Sequence, residues 1–104
     1  MDKILEYDFA KNFSKTPGPR FKRLGAYSGE EFREILEDLL ESYEFINIDG
    51  SGVVTSFSPS FLIEAFAPLA QKMGGVEKLQ TKIRLFSSTN PNLESKFKAF
   101  AGLG

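Results

Sequence analysis

The chain has 104 residues, a net charge of −1, and neither cysteine nor histidine. That length fits a single domain, residues 1–104, able to bury roughly two thirds of its unfolded surface without a metal or disulfide. The missing residue types exclude zinc sites, thiol nucleophiles, Ser-His-Asp triads and imidazole acid–base chemistry, and the near-neutral charge argues against nucleic acid as a partner.

In chain order, KILEYDF alternates apolar and polar residues as a half-buried strand does. SKTPGPR holds a Pro-Gly-Pro turn, after which RFKRLGAY can pair back as a second strand. The strongest helix signal follows. Ser28 and Glu31 form an S-x-x-E capping box, Tyr27 and Phe32 are spaced for a hydrophobic staple, and Phe32, Ile35, Leu36, Leu39 and Leu40 make one apolar stripe. This predicts a helix over 29–42. EFINID is a short strand, ended by GSG.

Next, SPSFLIEAFAPLAQKMGG predicts a largely buried helix, with Ser58 as cap, Pro59 at its first position and Gly74-Gly75 at its end. Pro68 falls inside it and should kink it or leave the Glu64 carbonyl without its partner. TKIRLF alternates as a strand, and Asn90-Pro91 repeats the cap-plus-proline device before a helix with Leu93, Phe97 and Phe100 on one face. Lys96 and Lys98 suit the C-terminal end of that helix. The order β-(β)-α-β-α-β-α implies an α/β fold, a sheet of three or four strands with helices packed against it.

Charge is unevenly spread. Between Lys11 and Arg23 lie five basic residues and no acidic one, whereas from Glu30 to Asp49 eight acidic residues meet only Arg33. Such blocks suit a charged protein partner or simply solvated faces. The N-terminus lacks the pattern of a signal peptide and no apolar run approaches a membrane span, which predicts a cytoplasmic protein without membrane contact. Nothing calls for a cofactor or metal. The edge strand KILEYDF either pairs in a dimer or uses Lys3, Glu6 and Asp8 as edge protection, leaving the oligomeric state open.

Two stretches carry the functional signal. One is the hydroxyl cluster Thr55, Ser56, Ser58 and Ser60, with Phe61, at the mouth of the apolar helix. A helix cap is its first reading and a phosphorylated or partner-contacting serine its second; a nucleophile would need a base that nothing supplies. The other is the basic loop, whose Lys15, Arg20, Lys22 and Arg23, with Ser28, are candidates for holding an anionic ligand or nucleotide. It lacks the spacing of a phosphate-binding loop, and an exposed, solvated hairpin is its first reading, with ligand binding or partner contact the alternatives. Glu64 is the lone charge in the first part of its helix and can partner Arg20, Lys22 or Arg33.

PGPRF at 17–21, YSGEEFRE at 27–34, INID at 46–49, SGV at 51–53 and SPSFLIEAF at 58–66 together resemble the bacterial STAS-like domains. These are relatives of the sulfate transporter and anti-sigma factor antagonist domain. The resemblance implies a STAS-like sheet and a non-enzymatic switch that is phosphorylated on a serine at the start of its second helix. The phosphorylating partner it implies is an ATP-binding kinase that also acts as an anti-sigma-type protein. Antagonists carry Asp-Ser-Ser/Thr-Gly at this corner, where this chain has Phe57-Ser58-Pro59-Ser60-Phe61. Counting from Val53 places Ser58 at the phosphoserine position; aligning on the helix places Pro59 there, with Ser60 next.

Overall fold

A computed structural model describes residues 3–103. The fold is α/β. Strands β1 (Ile4–Asp8), β2 (Phe45–Asp49) and β3 (Ile83–Phe86) form one parallel sheet in the order β1-β2-β3. Helix α1 (Phe9–Asn12) follows β1 directly, α2 (Gly29–Leu40) joins β1 to β2, and α3 (Pro59–Met73) with α4 (Val76–Gln80) joins β2 to β3. Helix α5 (Leu93–Ala101) closes the described chain.

Because the strands lie in sequence order, right-handed crossovers put their helices on one side of the sheet. Helix α3 lies between α2 and α5 and contacts both. Its central place explains its composition: Phe61, Leu62, Ala65, Phe66, Ala67, Leu69 and Ala70 are all buried. The register stacks Leu5, Ile46 and Ile83 in one row and Tyr7, Ile48 and Leu85 in the next, facing the helices. The opposite face carries the row Glu6, Asn47 and Arg84 and is open to solvent at both edge strands.

Phenyl rings fill the space between sheet and helices. Phe32 touches Tyr7, Phe9, Phe13, Phe61 and Phe66 with ring centroids 4.9–6.1 Å apart. Gly29, at the first turn of α2, lets that helix meet α3: a Cβ there would stand 2.6 Å from the Phe61 carbonyl oxygen. Alanine normally stabilises a helix over glycine, but Gly29→Ala should here cost about 1–3 kcal/mol through overpacking. Urea denaturation checks the sign.

The structure corrects four expectations. RFKRLGAY does not return as a strand; among the described residues of 13–28 the only regular element is a 3-10 turn, Lys22–Leu24. Pro17 and Pro19 can donate no ladder hydrogen bond. Instead Gly18 N–H bonds the Tyr27 carbonyl at 2.8 Å, and Gly29 N–H the Pro19 carbonyl at 2.9 Å. Tyr27 forms no staple with Phe32: at φ +59° its ring turns onto Phe13, 5.5 Å away. The capping box is shifted, with Ser28 Oγ accepting from Glu31 N–H at 3.0 Å while the Glu31 carboxylate accepts from Tyr27 N–H at 3.2 Å. The last helix starts at Leu93, not after Asn90, because Asn90 Oδ1 takes the Asn92 N–H in a local turn.

Pro68 has no N–H to give the Glu64 carbonyl, and α3 continues through it unbroken. Arg33 supplies the replacement. Its Nη1 donates to the Glu64 carbonyl and to Glu64 Oε2, both at 2.6 Å, while Arg20 Nε donates to Oε1 at 2.9 Å. The Glu64 side chain, 12% exposed, thus pins the first loop and α2 to α3. Burial works to raise the Glu64 pKa, but hydrogen bonds from Arg33 and then Arg20 outweigh it and hold the carboxyl below its usual value.

Candidate functional site

All three strands point the same way, so the loops after Asp8, Asp49 and Phe86 converge on one rim of the molecule. In open parallel sheets ligands bind beyond this carboxyl-terminal rim where the strand order reverses; the order β1-β2-β3 has no such reversal, so the rim offers a loop surface and not a crevice of that kind. The loops are physically joined. Val54 N–H donates to the Lys15 carbonyl at 2.9 Å, and Ser51 Oγ accepts from Ser88 N–H at 2.8 Å and from Ser88 Oγ at 2.9 Å.

The hydroxyl cluster belongs to this rim. Ser58 is the N-cap of α3: its Oγ accepts from Phe61 N–H at 3.2 Å and lies 3.3 Å from Ser60 Oγ, with which it shares a hydrogen bond. Thr55 and Ser56 are exposed, and Ser58 and Ser60 are half-buried. Phe61 is wholly buried among Phe9, Phe32 and Phe57, so it offers the corner its amide and its ring to the core. Thr55, Ser56 and Phe57 face Ser87, Thr89 and Asn90 across a notch of about 30 Å³, room for little more than one water. Ser58→Ala should cost about 1 kcal/mol in thermal or urea unfolding, the usual value of a lost N-cap.

Lys96 was not legible as part of this site. Its position on α5 suggested only a favourable charge near a helix end. In the structure its ammonium donates to the Phe57 carbonyl at 3.1 Å, clamping α5 onto the corner across 39 residues of sequence. No local pattern signals such a contact.

The candidate anion-binding residues are not gathered around one cavity. Arg20 is held by Glu64, Lys22 forms a close ion pair with Glu34, and Lys22 N–H donates to Glu30 Oε1 at 2.9 Å. Ser28 is buried and occupied as the cap of α2. Arg23 lies over the Phe21 ring, 5.3 Å from its centroid, and Lys15 is exposed. A larger cavity, about 390 Å³, opens elsewhere, between α2 and α3 beside Arg33 and Pro68.

No family model, curated protein or solved structure matches the chain. The likeness to STAS-like domains stands on the quoted sequence segments. Among the described residues, no helix is long and apolar enough to cross a membrane.

Proposed function

We propose that the chain is a non-enzymatic, cytoplasmic regulatory module of STAS-like type that holds a protein partner at the corner of residues 55–60. Phosphorylation of a serine there selects the partner. The observation that carries this reading is the placement of exposed hydroxyls on a rim loop whose backbone is tied down on both sides. Thr55 and Ser56 are open to solvent, while the Val54 N–H bond to the Lys15 carbonyl and the Lys96 clamp on the Phe57 carbonyl tie the chain on either side of them. A surface so ordered costs little further entropy on binding.

A phosphate at this corner adds nearly two negative charges and three strong acceptors beside the N-terminus of α3. On Ser56 or Ser60 it leaves the Ser58 cap in place. On Ser58 it competes for the Phe61 amide, which couples modification to the start of the helix. By resemblance the partner is an ATP-binding kinase or anti-sigma-type protein.

Affinity purification from the native host, with protein identification, tests the partner class. Recovery of an ATP-binding partner whose retention changes with Ser56→Asp or Ser58→Asp supports the reading. Recovery of none, or retention indifferent to every corner serine, counts against it.

A further inference from the structure

The loops of the carboxyl-terminal rim, residues 9–28, 50–58 and 87–92, contain five cations and no carboxylate. Arg20 and Lys22 are neutralised by Glu64 and Glu34. Lys11, Lys15 and Arg23 have no ion-pair partner among the described residues and outnumber the carboxylates of Asp8 and Asp49 at the strand ends of the same rim, so the rim keeps a modest excess of positive charge.

Leu24, Tyr27 and Val54 are the large apolar side chains of these loops that stand exposed. Val54 is 71% exposed, and its N–H is tied to the Lys15 carbonyl. Tyr27 is 47% exposed and sits at φ +59°, a region that residues with a Cβ seldom occupy. The conformation is imposed from both sides: the Glu31 carboxylate holds the Tyr27 N–H, and Gly18 N–H holds its carbonyl. Gly18 itself admits no side chain, because a Cβ would fall 2.2 Å from the Ala26 carbonyl oxygen. The fold therefore keeps a strained backbone and leaves an aromatic ring half in water. Strain of this kind persists where the displayed group has a use. Tyrosine is also among the side chains that most often anchor protein contacts.

We infer that this rim, anchored by Tyr27 and Val54 and ringed by Lys11, Lys15 and Arg23, docks an acidic protein segment bearing apolar side chains. Charge complementarity favours that occupant. Three unpaired cations on a chain of net charge −1 are too few for nucleic acid, whose binders neutralise many phosphates. The inference rests on the proposed contact at residues 55–60, next to Val54, and adds the chemistry of the partner. It also gives phosphorylation a direction: a phosphate on Ser56 brings negative charge onto a surface that recognises acids, and weakens docking.

The test uses the intact chain against a random peptide library displayed on phage. Selected sequences are then synthesised for fluorescence anisotropy and for mapping by amide chemical shifts. Expected are peptides that combine Asp or Glu with aliphatic or aromatic residues, shift Tyr27, Val54 and Lys15, and bind less tightly as salt rises. Val54→Asp and Tyr27→Gly should each weaken binding roughly tenfold or more, as anchor residues do. Glycine is chosen at 27 because it adopts the observed φ freely, so this variant should melt within a few degrees of the parent. The inference is overturned by selected peptides without acids, by shifts outside the rim, by failure to select any peptide, or by tighter binding to single-stranded RNA or anionic vesicles. It also fails separately from the phosphorylation proposal: acidic peptides can dock on a chain that is never modified, and a modified chain can ignore them.

Discussion

Arg33→Met is expected to destabilise the domain by about 2–4 kcal/mol, because it takes from a largely buried carboxylate one of its two guanidinium partners and leaves a backbone carbonyl without its side-chain donor. Arg20→Ala should cost less than about 1 kcal/mol, since that guanidinium is 42% exposed and its pairing is screened by water. The claim that Arg33 stands in for a missing amide has a sharper consequence. Pro68→Ala restores an N–H to the Glu64 carbonyl, so in that background Arg33→Met should cost about 1 kcal/mol less. A double-mutant cycle by urea denaturation measures the coupling; additive costs would mean that the carbonyl contact is incidental. The carboxylate side of the clip shows in pH dependence. Glu64 binds its proton less readily folded than unfolded, so its contribution is complete above the ordinary value of 4.5 and is lost as pH falls through the lower folded value. The melting temperatures of the parent and Glu64→Gln should therefore converge on acidification below that value.

Phe32→Ala should be at least as severe, at about 3–5 kcal/mol, a large share of the stability of a small domain. Phe32 is fully buried and touches rings contributed by β1, α1, the first loop and α3. No single neighbour can close the void. A cost near 1 kcal/mol in the same denaturation experiment would show that the cluster relaxes around the gap and that the rings are not close-packed.

What could be read from the sequence was local. Ser28 and Ser58 were legible as caps because a cap depends on residues three apart, and both bonds form. The apolar periodicity of α2 and α3 was legible because helix faces repeat within a turn. Pro68 announced a stranded carbonyl for the same reason, and the short choice of partners for Glu64 contained the two that bind it. Pairings over long separations were not legible. RFKRLGAY carries an alternation that suits a strand, yet prolines on its N-terminal side and the tertiary hydrogen bonds of Gly18 and Gly29 make it a loop. Val76–Gln80 folds as a short helix although Gly74-Gly75 reads as a stop; the left-handed turn at Gly74 ends one helix and Gly75 opens the next. Lys96 reaches Phe57 only because α5 packs against α3. The site was thus visible as a cluster of hydroxyls and the basic loop as a charge block, while the clamp that holds the corner and the meeting of the two on one rim required the fold.

The proposed switch is tested most directly by the intact mass of the chain purified from its native host, followed by mapping of any modification. A phosphorylated fraction is expected, with the phosphate on Ser56, Ser58 or Ser60. An unmodified chain, with alanine at each of these serines leaving its partners unchanged and Ser58→Ala costing only about 1 kcal/mol of stability, would contradict it and leave the hydroxyls as the cap of a helix.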